Sequence, residues 1–332
     1  MSEVKVAVVG YGNVGRGVIA SIRNNPDMKL VCVVSRSPER VKKEFDEVPV
    51  FHVSDAEKAF KSTGAAVAIL CGGSKDDLPK FGPQMAKLIN TVDSFDNHIH
   101  IPDYFAEMDK TAKASGHVSV ISTGWDPGIF SLERTLAGAF LPGSRAYGFY
   151  GLGPAGGLSM GHSDALRTIP GVKDARQFTH AIPAAVKKVQ DGENPKFEPG
   201  DMHKRECFVV LEEGADKVAV NKAIMEMPGY FAPYDTTVNF ISQEELKAKY
   251  AGFPHDGLVV AAGKTGKGNS ARIEYRCVWG SNPEATANVL VAHARAAARL
   301  AAEKRSGAFT ILDIPASYFT SLSREELLAH WM

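Results

Sequence analysis

Residues 4–17 read VKVAVVGYGNVGRG, and the class of fold turns on them. VKVAVV is a near-continuous apolar run, the pattern of a strand buried on both faces. Gly10, Gly12 and Gly15 follow in the G-x-G-x-x-G spacing, and residues 13–24 suit a helix. Three spaced glycines alone are a weak signal. Closing a strand and opening a helix of a strand–helix–strand unit, they form a dinucleotide-binding turn. Gly10 permits the tight turn, Gly12 lets the backbone approach a pyrophosphate, and Gly15 lets the helix sit close to the strand. Tyr11, Asn13 and Val14 lie in the same loop, and the helix N-terminus adds amides and partial positive charge for phosphates.

Outward from this unit the pattern repeats. KLVCVVS (29–35), AAVAILCG (65–72), TVDSF (91–95) and HVSVIST (117–123) are strand-like. A polar stretch around 54–62, PKFGPQMAKLIN (79–90) and IPDYFAEMDKTAKAS (101–115) suit helices. Such alternation predicts an α/β fold, a Rossmann-type doubly wound parallel sheet with helices on both faces. The second strand ends in Ser35-Arg36-Ser37, where an NAD site usually carries an acid for the ribose 2′-hydroxyl. Two hydroxyls and a guanidinium suit a 2′-phosphate instead, so NADP is favoured over NAD. Arg36 stacked on the adenine is equally compatible with NADP. Cys71, Gly72, Gly73 and Ser74, at the end of the third strand, complete the expected cofactor set. SFDN and TGWDPG close the fourth and fifth strands at the carboxyl edge where ligands bind. Asp96, Trp125 and Asp126 are therefore expected to face the nicotinamide pocket.

Beyond residue 125 the pattern changes. Residues 145–161 are rich in glycine; RECFVVLEE, TTVNFIS, LVVAAGK and ARIEYRCVW read as strands of an antiparallel or mixed sheet. VLVAHARAAARLAAEK (289–304) is a helix expected to pack on the first domain. The expected division is a dinucleotide-binding domain over 1–124, completed by 283–332, and an α+β substrate-binding and dimerisation domain over 125–282.

The 332 residues carry 38 Lys+Arg and 38 Asp+Glu, a net charge of zero, which argues against a nucleic-acid or anionic-membrane partner. No apolar run has membrane-spanning length, and the N-terminus enters a strand directly, without a signal-peptide pattern. Cys32, Cys71, Cys207 and Cys277 lack paired spacing, as in a reduced cytoplasmic protein. His98 and His100 lack neighbouring ligands, so no metal is expected. Ser163 or Asp164, within His162-Ser163-Asp164, is expected to cap the helix beginning at ALRTI rather than to join a hydrolase triad.

VAVVGYGNVGR, DSFDNH, STGWDPG, GHSDALRTIPGV, HKRECFVV, GFPHDG and SGAFTILDI together closely resemble the meso-2,6-diaminopimelate D-dehydrogenase family, in order over nearly the whole chain. The resemblance implies a homodimeric NADP enzyme. Its reaction is the reversible oxidative deamination of the D-centre of meso-diaminopimelate to L-2-amino-6-oxopimelate, which cyclises to tetrahydrodipicolinate, and ammonia, in lysine biosynthesis. It implies Asp96 and Asp126 as paired acids for the reacting amine, beside Trp125. Ser159, Met160 and Gly161 match the family's amide and side-chain cradle. Thr179, Arg205 and His255 match its distal-carboxylate binders, and Asn282 its partner of the distal L-centre. Tyr150 stands where family members place Trp, and GLGPAGGLSMG is longer than their loop. These departures predict a wider pocket that also accepts other D-amino acids or bulky 2-oxo acids. The alternatives are a broad-specificity NADP-dependent D-amino acid dehydrogenase and, in another class, a non-catalytic NADPH-binding regulator.

Overall fold

The computed structural model describes residues 3–332. In chain order the first elements are β1 Val4–Val9, α1 Asn13–Arg23, β2 Met28–Ser35, α2 Pro38–Glu44, β3 Val50–His52, α3 Ala56–Thr63, β4 Val67–Leu70, α4 Asp77–Ala86, β5 Asn90–Asp93, α5 Ile101–Ser115, β6 Val118–Val120 and α6 Ile129–Phe140. They are followed by β7 Ala146–Tyr150, β8 Gly157–Ser159, α7 Met160–Arg167, β9 Val172–Ala181, α8 Pro183–Gln190, α9 Pro199–Met202, β10 His203–Leu211, α10 Lys217–Met225, β11 Asp235–Phe240, α11 Gln243–Lys249, β12 His255–Lys264 and β13 Ser270–Trp279. α12 Asn282–Ala302, β14 Gly307–Phe309 and α13 Arg324–Trp331 complete the chain. It separates into two compact units, Met1–Leu132 with Pro283–Met332, and Glu133–Asn282.

The first unit holds a parallel seven-stranded sheet in the order β14-β6-β5-β4-β1-β2-β3. Strand order reverses between β1 and β4, which places the ligand crevice beyond their carboxyl ends. Because side chains alternate across the pleat, Val6, Val8 and Val33 bury on one face with Val18 of α1 and Leu290 and Ala294 of α12. Ala7, Cys32 and Ala68 bury on the other with Phe60, Leu78 and Met108 of α3, α4 and α5. α2 and β3, absent from the sequence expectation, are short, and Val41 is the buried residue of α2, too little apolar periodicity to register.

The second unit has two sheets where the sequence suggested one. β11-β10-β9-β8 is mixed, with β10 and β11 parallel and the remaining pairs antiparallel. β13-β12-β7 is antiparallel. The alternation in ARIEYRCVW matches β13, an edge strand with every second residue exposed. β12 lies between two strands and is buried from His255 to Ala262, so its run is continuous rather than alternating. Among the described residues, no helix is long and apolar enough to cross a membrane.

Candidate active site

At the carboxyl edge of the parallel sheet, Gly10 takes φ +103° and a Cβ on Gly15 would overlap the Gly10 carbonyl. The turn between β1 and α1 therefore needs both glycines. Gly12 is the N-cap of α1, and a Cβ there would meet nothing within 4 Å, the open approach that a pyrophosphate requires. A cavity of about 350 Å³ begins here, lined by Gly10, Tyr11, Gly12, Ser35, Arg36, Ser37, Cys71 and Gly72 of the expected set. Asn13, Val14, Gly15, Gly73 and Ser74 lie beside it and do not line it.

The cavity also has residues that sequence reasoning missed. Arg40 adds a second guanidinium, Phe81 an aromatic wall and Asp77 a carboxylate. Arg36 Nη1 pairs with Asp77 Oδ1 at 3.0 Å, and Asp77 Oδ2 also accepts from Gly73 N at 3.3 Å. The two arginines and the hydroxyls of Ser35 and Ser37 form a donor set for a phosphate monoester. With the open Gly12 backbone, the residues present fit NADP. Burial pushes the Cys71 thiol up to about 12, so at neutral pH it lines the cavity as an apolar group.

The two acid-bearing loops start from one buried carboxylate. Asp93, the last residue of β5, is fully buried. It accepts from Phe95 N at 3.0 Å, Ser122 N at 3.1 Å and Tyr104 Oη at 2.8 Å. Its backbone carbonyl takes both Thr123 N, at 2.9 Å, and Thr123 Oγ1, at 3.0 Å. Ser122 adopts φ +55°, a left-handed conformation uncommon outside glycine, and its amide meets Asp93. Burial outweighs the donors and lifts Asp93 to about 6.

Asp93 thus ties the Asp96 loop to the one bearing Trp125 and Asp126. Asp96 is exposed, and its amide donates to Ser74 Oγ at 3.0 Å. Trp125, 7% exposed, packs edge-on to Phe130 with ring centroids 5.2 Å apart. The Asp126–Pro127 peptide is cis. Gly124 N donates to the Pro127 carbonyl at 2.7 Å, and a Cβ on Gly128 would overlap the Gly124 carbonyl. TGWDPG is therefore a closed turn that cannot lengthen or gain bulk at its second glycine. An Asp ending an apolar strand was the available signal for Asp93, and it reads equally as the start of a turn.

In the second unit the remaining expected residues gather around a buried cation. Arg205 of β10 is 8% exposed and registers opposite Thr179 of β9. Its Nη1 donates to Thr179 Oγ1, and its guanidinium lies 4.0 Å from the Tyr234 ring centroid. Among the described residues, no carboxylate pairs with Arg205. His162 and His203 are each held down to about 3, first by burial and then by the charges of Arg205 and His255. Both rings are neutral, and Tyr150 N accordingly donates to His203 Nε2 at 3.0 Å.

The Tyr150 ring stacks on His203 and meets His255 edge-on, and Arg134 Nη2 donates to its hydroxyl at 2.6 Å. Ser159, not Ser163 or Asp164, caps α7: its hydroxyl accepts from His162 N. Ser163 lies one turn inside the helix, where it donates to the Ser159 carbonyl at 2.6 Å. Asp164 instead pairs with Arg167. Met160 and Gly161 are thereby the first two helical residues, whose amides have no partner within the helix. Asn282 Nδ2 donates to the Leu158 carbonyl at 3.1 Å, next to that cap. The arrangement supplies a positive, donor-rich environment for a carboxylate.

Two family descriptions match the chain: "Diaminopimelic acid dehydrogenase C-terminal domain" over residues 124–281, and "Oxidoreductase family, NAD-binding Rossmann fold" over residues 4–91. The meso-diaminopimelate D-dehydrogenase of Ureibacillus thermosphaericus is 49% identical over 327 residues, 98% of each chain. The Corynebacterium glutamicum DAP dehydrogenase, solved in complex with DAP, superposes with TM-score 0.92 at 40% identity over 100% of both chains. An engineered D-amino acid dehydrogenase bound to NADP+ superposes with TM-score 0.90 at 38% identity, again over 100% of both chains.

Proposed function

The chain belongs to the meso-diaminopimelate D-dehydrogenase family, and from that membership we propose how its own residues divide the work. It is an NADP-dependent amino acid dehydrogenase. It oxidatively deaminates the D-centre of meso-2,6-diaminopimelate, giving L-2-amino-6-oxopimelate and ammonia, in lysine biosynthesis.

Arg36 and Arg40, with Ser35 and Ser37, hold the 2′-phosphate; the backbone of Gly10–Gly15 and the start of α1 hold the pyrophosphate. Bound NADP supplies the acceptor for hydride. Asp96 and Asp126 take the ammonium of the D-centre between them and orient its Cα–H, with Trp125 as the wall beside it. Orientation is the chief contribution of such groups. Asp126, directly or through a water, takes the proton that the amine must shed. The amides of Met160 and Gly161 and the Ser159 hydroxyl hold the carboxylate at the reacting end. Arg205, Thr179 and His255 hold the one at the far end, and Asn282 the distal amine.

The observation that carries this division is Arg205, a guanidinium 8% exposed with no carboxylate partner among the described residues. A buried cation is strongly disfavoured without an anion, and the distal carboxylate supplies one. Arg205→Met is expected to raise KM for meso-diaminopimelate roughly ten- to a hundredfold, the scale of a lost charged hydrogen bond. NADPH formation with the meso and LL isomers as separate substrates measures it. An unchanged KM rejects the assignment. The same proposal includes a cytoplasmic homodimer, which sedimentation of the purified enzyme tests for its oligomeric part.

A further inference from the structure

Asp256 had no assigned role. It follows His255 in β12, is 7% exposed, and its carboxylate is spent on the backbone of the glycine loop after β7. Oδ1 accepts from Leu152 N at 2.8 Å and Oδ2 from Gly153 N at 3.0 Å. Its backbone carbonyl accepts from Gly151 N at 3.0 Å and lies 3.0 Å from His255 Nδ1. One residue therefore engages three consecutive loop amides and the His255 ring. Arg276 Nη2 stands 3.8 Å from Oδ2 on the exposed side.

The loop so held lies against the residues proposed for the distal carboxylate. Gly151, at φ +70°, sits so close to the Thr179 carbonyl that a Cβ would overlap it. Its own carbonyl accepts from Ala181 N at 2.9 Å. Gly156, at φ +69°, presses on the His180 ring, and Gly157 presses on His255. The loop is folded onto Thr179 and His255, so their separation depends on where it is fixed.

We propose that Asp256 is a specificity-positioning residue. By fixing residues 151–157 through their amides, it sets Thr179 and His255 for a carboxylate at the far end of the substrate, and so disfavours D-amino acids that lack one. On this proposal the loop narrows substrate choice rather than widening it. The inference rests on the division of roles proposed above.

The test compares kcat/KM for meso-diaminopimelate and for D-norleucine in wild type, Asp256→Asn and Arg205→Met. An Asn presents an amide N–H₂ where the carboxylate accepted, so one loop contact becomes repulsive. The expected result is a roughly tenfold fall in the ratio of the two kcat/KM values in D256N, carried by KM for meso-diaminopimelate. A ratio within about twofold of wild type, while R205M collapses it, overturns the role of Asp256 and leaves the site assignment standing. A ratio unchanged in both variants overturns the site assignment and this inference with it. If D256N does not fold, hydrogen exchange of the wild-type peptide spanning 151–157 decides. Protected amides at 152 and 153 support the clamp, and exchange at the rate of an open chain overturns it.

Discussion

Asp93 shows how a fully buried side chain governs two that are proposed to bind substrate. It sits below both acid-bearing loops with amide donors from each, so its ionisation state couples to their geometry. Burial lifts it to about 6. The folded protein therefore keeps a proton that the unfolded chain has released between about pH 4 and pH 6. The stability Asp93 contributes is fully present below about pH 4 and is lost as pH rises through 6. Relative to Asp93→Asn, the wild type is expected to lose about 3 kcal/mol between pH 4 and pH 7; denaturant midpoints of the two proteins at each pH measure it, and a constant difference rejects the shift. At this scale the sequence was informative where a motif is dense. Gly10, Gly12, Ser35 and Arg36 all line the cofactor cavity. It was silent for Asp77, Asp93 and Asp256, whose partners are backbone amides or a distant arginine, since nothing in a one-letter string marks a carboxylate as an acceptor for a loop elsewhere.

The elements differ in how strongly their own residues announce them. α5 spans residues 101–115 as its apolar spacing predicted, with Pro102 in its first turn and Gly116 in the left-handed conformation at its end. α12 extends at its start beyond the expected 289–304, beginning at Asn282, and its role depends on one residue that composition made look ordinary. Arg295 is 2% exposed. It donates to both oxygens of Asp27 at 2.6 and 2.7 Å, to Asn25 Oδ1 at 2.7 Å and to the Phe319 carbonyl at 2.7 Å. The loop before β2 and the segment after β14 are thus clamped to the helix. Arg295→Met is expected to cost about 3–5 kcal/mol, because Asp27 and its neighbours keep their charge and lose their donor; chemical denaturation checks this. Arg295 holds the Asp27 carboxyl below its usual range. The clamp is therefore at full strength above the normal carboxylate pKa and weakens as pH falls through the lowered one, the opposite sense to Asp93. The second unit's division into two sheets was not legible, because strand partners are set by registers such as Arg205 with Thr179, and periodicity encodes faces but not partners.

At the scale of the whole molecule, cofactor choice is measurable as stability. A ligand that binds the folded chain alone raises its stability by about 2.7 kcal/mol at a hundred times its Kd. NADP is expected to raise the unfolding temperature more than NAD at equal concentration, and Arg36→Ala to erase most of that difference; thermal unfolding with each dinucleotide checks this. The first unit is also built from two distant stretches of chain. The glycine turn is complete within the first 15 residues, yet Val6 and Val8 bury against α12 as well as α1, and the sheet's last strand, β14, pairs with β6 through residues 307–309. Ribosomes deliver chains from the N-terminus at about 5–20 residues per second. The first unit is therefore begun first and finished last: until α12 emerges, the face of the sheet that carries Val6 and Val8 has α1 but lacks the longer helix that also packs on it. A chaperone that shields early apolar strands, rather than one acting on the finished chain, is the assistance this order of construction calls for.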